Sequence, residues 1–154
     1  MKIIVYICNR KTNHVKDMEM TIYIKQGVGD VHFGMPVEEV VAMLGNADEV
    51  ENIDNAADDP TTVLKYTGMG LTLFFEGENP ALACADVCNE TCMLMGERVF
   101  DLDERAIVQL MVRNNYAEQD VDDEDWGERR VTFPEANVDF YFDEGNLVSI
   151  ILGA

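Results

Sequence analysis

The chain is poor in basic residues, and this shortage excludes several classes of partner. Only 11 Lys+Arg stand against 30 Asp+Glu among 154 residues, which gives a formal net charge of −19 at pH 7. A surface of that charge repels nucleic acid and anionic membranes, so we expect neither as a partner. It attracts basic proteins and cations, although an acidic surface can also serve solubility alone.

Long apolar runs are also missing. A membrane-spanning helix needs about 18 consecutive apolar residues, and no stretch approaches that length. The first apolar run, residues 3–8, is ended by Asn9 and Arg10, whereas the core of a signal peptide needs about 7–15 residues. We therefore expect a cytoplasmic protein in which residues 1–20 form an N-terminal segment of uncertain role.

Proline and glycine are too few for a long flexible linker, with four Pro and 11 Gly in the chain. An apolar fraction of 47% is enough to build a core. The length favours one domain or two small fused ones.

The chain matches itself when it is shifted by 67 positions. Without a gap, the stretch from Phe33 to Glu76 falls on the stretch from Phe100 to Asp143, and apolar residues fall on apolar residues. A shared helix period alone could arise by chance. A helix followed at the same offset by two in-phase strands is harder to obtain that way, so the pattern predicts a duplicated unit.

Each predicted unit begins with a helix. In "FGMPVEEVVAMLG" the apolar residues recur at i, i+3, i+4 and i+7, Pro36 suits the first helical position, and Gly45 suits the stop. In "FDLDERAIVQLMVRNN" Asp103 is a candidate N-cap, and Asn114 and Asn115 replace the glycine stop. The predicted buried stripes are Val37, Val40, Val41 and Leu44 in the first helix and Ile107, Leu110 and Met111 in the second.

Strands with alternating apolar residues follow each helix. "LKYT" and "LTLFFE" in the first unit correspond to "VDFYF" and its neighbours in the second, and "DEGN" is a hairpin turn before a returning strand, Leu147 to Leu152. Thr21–Lys25 and Cys92–Met95 are candidate leading strands. The predicted inward positions are Leu64, Tyr66, Leu71, Leu73, Phe75, Val138, Phe140 and Phe142.

These elements predict an α+β fold of two α-β-β-β repeats that form one antiparallel sheet with the helices packed on one face. The first repeat spans residues 21–87 and the second spans residues 88–154, fused as one globular domain. The other face of the sheet is expected to be wide and partly exposed.

The phrase "FGMPVEEVVAMLGNADEV" followed by "VLKYTG" and "LTLFFEGEN" resembles the repeat unit of SmpA/OmlA-type outer-membrane assembly lipoproteins. The fused pair resembles the β-lactamase-inhibitor-protein fold, which is built from two such units, and various small toxin-neutralising immunity proteins. The resemblance covers residues 33 to 152. It implies this fold and a protein-binding role, and it implies no catalytic residues.

An acidic stretch follows each predicted helix, "ADEVENIDNAADD" and "EQDVDDEDWGE". A calcium loop of the EF-hand kind needs Gly at its sixth position, where counting from Asp120 gives Asp125, so we expect solvated loops or loops that steer a basic partner. Trp126, the only Trp, lies within the second stretch and is either an interface residue or a cap on the sheet edge. The predicted partner-binding residues are Asp54, Asp58, Asp122, Asp123, Asp125, Trp126, Phe74 and Tyr141.

Three cysteines form the run "CADVCNETC", which has spacing compatible with zinc. Cys84, Cys88 and Cys92 are therefore weak metal candidates, with a Cys88–Cys92 disulfide and ordinary reduced thiols as alternatives. No nucleophile–base motif or phosphate loop is recognisable, so we expect no catalytic residues and no cofactor.

Together these observations predict a non-enzymatic protein-binding domain, an inhibitor or immunity protein that engages a basic protein through acidic loops and exposed aromatic residues. The alternatives are a soluble scaffold or assembly factor related to the outer-membrane assembly lipoproteins, and a metal-binding domain that uses the three cysteines.

Overall fold

A computed structural model describes residues 18–54, 60–124 and 127–154. Within these ranges the fold is α+β, as predicted, with mainly antiparallel sheets and two α-helices. In chain order the elements are β1 Thr21–Tyr23, β2 Gly27–Val28, β3 Val31–His32, α1 Val37–Leu44, β4 Glu49–Ile53, β5 Thr61–Tyr66, β6 Leu71–Glu76, β7 Ala81–Val87, β8 Met93–Leu94, β9 Glu97–Arg98, α2 Glu104–Arg113, β10 Asp120–Asp123, β11 Arg129–Phe133, β12 Val138–Asp143 and β13 Asn146–Gly153.

An eight-stranded antiparallel sheet dominates the fold, in the order β10-β11-β12-β13-β7-β6-β5-β4. Each half of this sheet is a four-stranded meander that follows one helix along the chain, α1 for β4 to β7 and α2 for β10 to β13. The halves meet in the middle, where β7 pairs with β13 and Val87 lies opposite Ile150.

The prediction of three strands after each helix is wrong, because each helix is followed by four. The extra strands, β4 and β10, lie in the acidic stretches that were expected to be loops. Both segments become strands because they pair with the edge of a neighbouring strand, β5 or β11. Glu49 lies opposite Lys65, while Asp122 and Asp123 lie opposite Arg130 and Arg129. Opposite charges across a strand pair favour this pairing.

A smaller five-stranded sheet has the order β3-β2-β1-β8-β9. Strands β1 and β8 fall within the predicted leading strands, and they pair in parallel, with Thr21 opposite Met93 and Ile22 opposite Leu94. The hairpins β2–β3 and β8–β9 therefore lie in one sheet, each directly ahead of a helix in the chain.

One face of the large sheet, here called the inner face, packs into a single hydrophobic core with both helices and the small sheet. The predicted inward positions on β5, β6 and β12 are buried, which confirms the alternation. One row of paired residues crosses all but the outermost strands: Leu64, Leu73, Ala85, Leu152, Val138 and Phe133.

The helix ends follow the predicted capping residues with small differences. Asp103 caps α2, its Oδ1 accepting a hydrogen bond from the backbone N of Ala106 at 2.9 Å. Pro36 is the N-cap of α1 rather than its first helical residue. Gly45 ends α1 at φ 88° and ψ −174°, a conformation that favours glycine, and Asn115 adopts φ 75° after α2.

No helix within residues 18–54, 60–124 and 127–154 is long and apolar enough to cross a membrane.

Candidate binding face

The side of the large sheet that points away from the core, here called the outer face, carries the candidate functional side chains. Its residues are mostly half-buried or exposed, in contrast to the fully buried inner face. The strand registers set one row across the outer face, which contains four carboxylates and a single cation: Glu49, Lys65, Thr72, Asp86, Ile151, Asp139, Thr132 and Asp120.

Phe74 and Tyr141, two of the predicted partner-binding residues, both lie on the outer face and are half-buried. Each occupies a register irregularity, between Phe74 and Phe75 in β6 and between Tyr141 and Phe142 in β12. Val63 lies opposite Phe74 and is buried, although it does not belong to the main core cluster. An apolar patch thus lies within the acidic face.

The centre of the outer face concentrates negative charge around a thiol. Burial, followed by the nearby carboxylates of Asp86, Glu76 and Asp139, raises the pKa of Cys84 to about 11. Burial and the negative charge of Glu128 raise the pKa of Asp86. A cation placed here would oppose both shifts, because it favours the charged forms.

Two arginines at the β10 end of the sheet form ion pairs that the sequence interpretation missed. Arg130 donates to Asp122 Oδ2 at 2.5 Å, and its Nε lies 3.4 Å from Glu124 Oε1. Arg129 donates to Glu104 Oε1 at 2.9 Å, and its Nη1 lies 3.5 Å from Asp123 Oδ1. The adjacent pair "RR" after the acidic stretch was the available signal.

The predicted acidic residues therefore separate into different environments. Asp122 and Asp123 are exposed but ion-paired, whereas Asp54 is exposed just beyond β4. The remaining predicted residues, Asp58, Asp125 and Trp126, lie outside the described residues.

Asp48, the first acidic residue of the first acidic stretch, is buried and hydrogen-bonded within the fold. Its Oδ2 accepts hydrogen bonds from the backbone N of Thr67 at 2.7 Å and from the Thr67 hydroxyl. Tyr66 donates its hydroxyl to the backbone O of Gly45 at 2.8 Å, and burial together with Asp48 raises the pKa of that phenol. These bonds tie the end of α1 to the end of β5.

The three cysteines of the C-x3-C-x3-C run lie in different surroundings. Cys84 is half-buried on the outer face, Cys88 is exposed after β7, and Cys92 is buried in the core; all three are free thiols. Among the residues that the structure describes, no three His, Cys, Asp or Glu side chains are grouped so that they could hold a metal ion. Neither the metal hypothesis nor a Cys88–Cys92 disulfide therefore gains support from the geometry.

A shallow hollow of about 320 Å³ opens beside Asp86. It is lined by Lys65, Thr67, Gly70, Leu71, Thr72, Asp86 and Cys88.

No family model matches the chain, and no curated protein matches it. A solved structure of an extracellular protein containing an SCP domain, from Bacillus anthracis str. Ames, is similar at a TM-score of 0.45 and 14% sequence identity. The match covers 88% of this chain and 46% of that chain, so this chain spans about half the length of that protein.

Proposed function

We propose that the chain is a non-enzymatic protein-binding domain, of the inhibitor or immunity type, that engages a basic protein through its outer face. The observation that carries this proposal is that Phe74 and Tyr141 lie on the same face of the sheet as a row rich in carboxylates. Half-buried aromatic residues surrounded by charge are the composition of an interface centre with a polar rim.

The acidic and aromatic residues have separate tasks in this proposal. The carboxylates accelerate the encounter with a basic protein, and the aromatic side chains hold it after contact. The raised pKa of Asp86 supports this division, because a carboxylate crowded by burial and Glu128 gains from a cationic neighbour. The raised pKa of Cys84 keeps that thiol protonated and weakly nucleophilic at neutral pH, in keeping with binding rather than catalysis.

We also propose that the two halves of the chain are copies of one unit, as in the repeat proteins that the sequence resembles. Residues 67 positions apart occupy equivalent places: Phe74 and Tyr141 stand at the two register irregularities, and β6 and β12 have matching ends. Superposition of residues 33–79 on residues 100–146 tests this, and helices or strands that do not overlay would contradict it.

Capture from native cell extract tests the binding function. The immobilised wild-type protein is expected to retain a basic protein in a stoichiometric amount at low salt and to lose it as salt rises. A Phe74→Ala, Tyr141→Ala variant should retain much less of it. Tyr23→Ala is the matched control, because Tyr23 is an exposed aromatic on the small sheet.

Three outcomes would overturn the proposal. These are the absence of any basic partner, equal capture by the outer-face variant, and equal loss in the Tyr23 control. Recovery of envelope-assembly components alone would support the scaffold alternative instead.

A further inference from the structure

Strand β4 is the last strand at one edge of the eight-stranded sheet, as far as the described residues go. Its only neighbour in the described part of the chain is β5. An edge strand leaves the N–H and C=O groups of about every second residue without a strand partner, and these groups can pair with an added strand. Every residue of β4 after Glu49 is exposed, so an incoming chain has access to this edge.

The side chains of β4 alternate between the two faces of the sheet. Val50 lies on the inner-face side and is 54% exposed, and Ile53 lies on the outer-face side and is 38% exposed, a degree that is unusual for large apolar residues among those that the structure describes. Glu49 and Glu51 lie on the outer face, opposite Lys65 and Val63. Neither glutamate forms an ion pair of 4.0 Å or less with another described residue.

The strand at the opposite edge, β10, has the same mixture of acidic residues and an exposed valine, but two of its three carboxylates are already ion-paired. Asp122 pairs with Arg130, and Asp123 lies near Arg129. The two edges therefore differ in one respect. Arginines of β11 lie within 4.0 Å of Asp122 and Asp123, whereas Lys65 lies opposite Glu49 without forming an ion pair of that length.

We propose that β4 binds a basic segment of a partner protein in extended conformation, added to the sheet as a further strand. Lys or Arg at every second position would face Glu49 and Glu51, and apolar residues between them would cover Val50. This inference rests on the proposed function only in taking the partner to be basic. A second copy of this chain is the wrong occupant, because β4 against β4 would bring rows of glutamates together.

A synthetic peptide that alternates Lys with Val or Thr, labelled for fluorescence anisotropy, is the probe. Its matched control is the same peptide N-methylated at every second backbone nitrogen, which keeps charge and side chains but removes hydrogen-bond donors. We expect the N-methylated peptide to bind at least about tenfold more weakly, since several backbone hydrogen bonds are lost.

Protein variants locate the site. Glu49→Gln with Glu51→Gln is expected to weaken binding of the unmodified peptide by about 3- to 10-fold, as removal of two exposed ion pairs would. Glu118→Gln with Asp120→Asn removes the same charge from exposed positions at and just before β10 and should change it less than about twofold. Amide chemical shifts of Val50, Asn52 and Ile53 should move on titration.

Equal binding of the two peptides, equal effects of the two variant pairs, shifts centred away from β4, or no saturable binding would each overturn the edge proposal. The peptide experiment and the capture experiment can fail independently of each other. Loss of peptide binding with continued, Phe74- and Tyr141-dependent capture would remove only the β4 proposal. Peptide binding at β4 with capture unaffected by the outer-face substitutions would remove only the outer-face proposal.

Discussion

At the scale of single residues, Gly70 closes the turn between β5 and β6 in a way that other residues cannot. It has φ 60° and ψ 37°, and a Cβ at this position would lie 1.8 Å from the backbone O of Cys88. The carbonyl of Gly70 also accepts a hydrogen bond from the backbone N of Cys88 at 2.7 Å. The turn and the end of β7 are thus held together by backbone contacts.

Gly70→Ala is therefore expected to lower the free energy of unfolding by about 2 kcal/mol or more, because the left-handed conformation and the clash both oppose a methyl group. Thermal or denaturant unfolding measures this loss. Gly68→Ala is the control in the same turn, since a Cβ there meets nothing within 4 Å, and it should change stability by less than about 0.5 kcal/mol. Similar losses for both variants would contradict the explanation.

The thiol of Cys84 gives a prediction that depends on pH. Its pKa of about 11, raised from 9.0, means that at pH 8 the thiolate fraction is about one-hundredth of that of an ordinary thiol. Iodoacetamide labelling followed by mass spectrometry should show Cys84 reacting far more slowly than the exposed Cys88. Because its pKa is raised, the labelling rate of Cys84 should rise about tenfold per pH unit up to about pH 11. Equal rates at pH 8 would contradict the buried, acidic surroundings.

At the scale of elements, the sequence predicts helices and inward-facing strand positions well, because both depend on local signals. The Asp103 cap, the apolar stripe of α2 and the alternation in β12 can all be read from neighbouring residues. Strands β4 and β10 could not be predicted in this way. Their residues are mostly acidic and exposed, and they become strands through pairing with β5 and β11.

The side chain of Asp103 caps the N-terminus of α2, whereas α1 has no side-chain cap. Asp103→Ala should destabilise the protein by about 1 kcal/mol, since the hydrogen bond to the backbone N of Ala106 is lost. Asp101→Ala is a control two residues earlier, where the carboxylate forms only an exposed ion pair with Arg98. Chemical denaturation of both variants measures the difference, and equal effects would show that the cap contributes nothing specific.

At the scale of the whole molecule, the long-range pairings could not be read from the sequence. The junction of β7 with β13 and the parallel pairing of β1 with β8 join residues distant along the chain, and no local pattern encodes a partner. The outer face follows from the first of these, because the junction of β7 with β13 brings Asp86 beside Ile151 and so aligns it with Asp139 in the same row. Phe74 and Tyr141, named from the sequence as partner-binding residues, lie on this face, while the position of its acidic centre depended on the topology.

The net charge of −19 predicts how the stability of the whole molecule responds to salt. Repulsion among carboxylates opposes the compact state, and added salt screens it. Raising NaCl at pH 7 should therefore raise the melting temperature, by about 2–4 °C for each 1 kcal/mol of repulsion removed. The control is the same titration just above the sequence pI of about 4.1, where the net charge is small and the salt effect should nearly vanish. A melting temperature that falls with salt at pH 7, or rises equally at both pH values, would show that charge repulsion does not limit the stability of this fold.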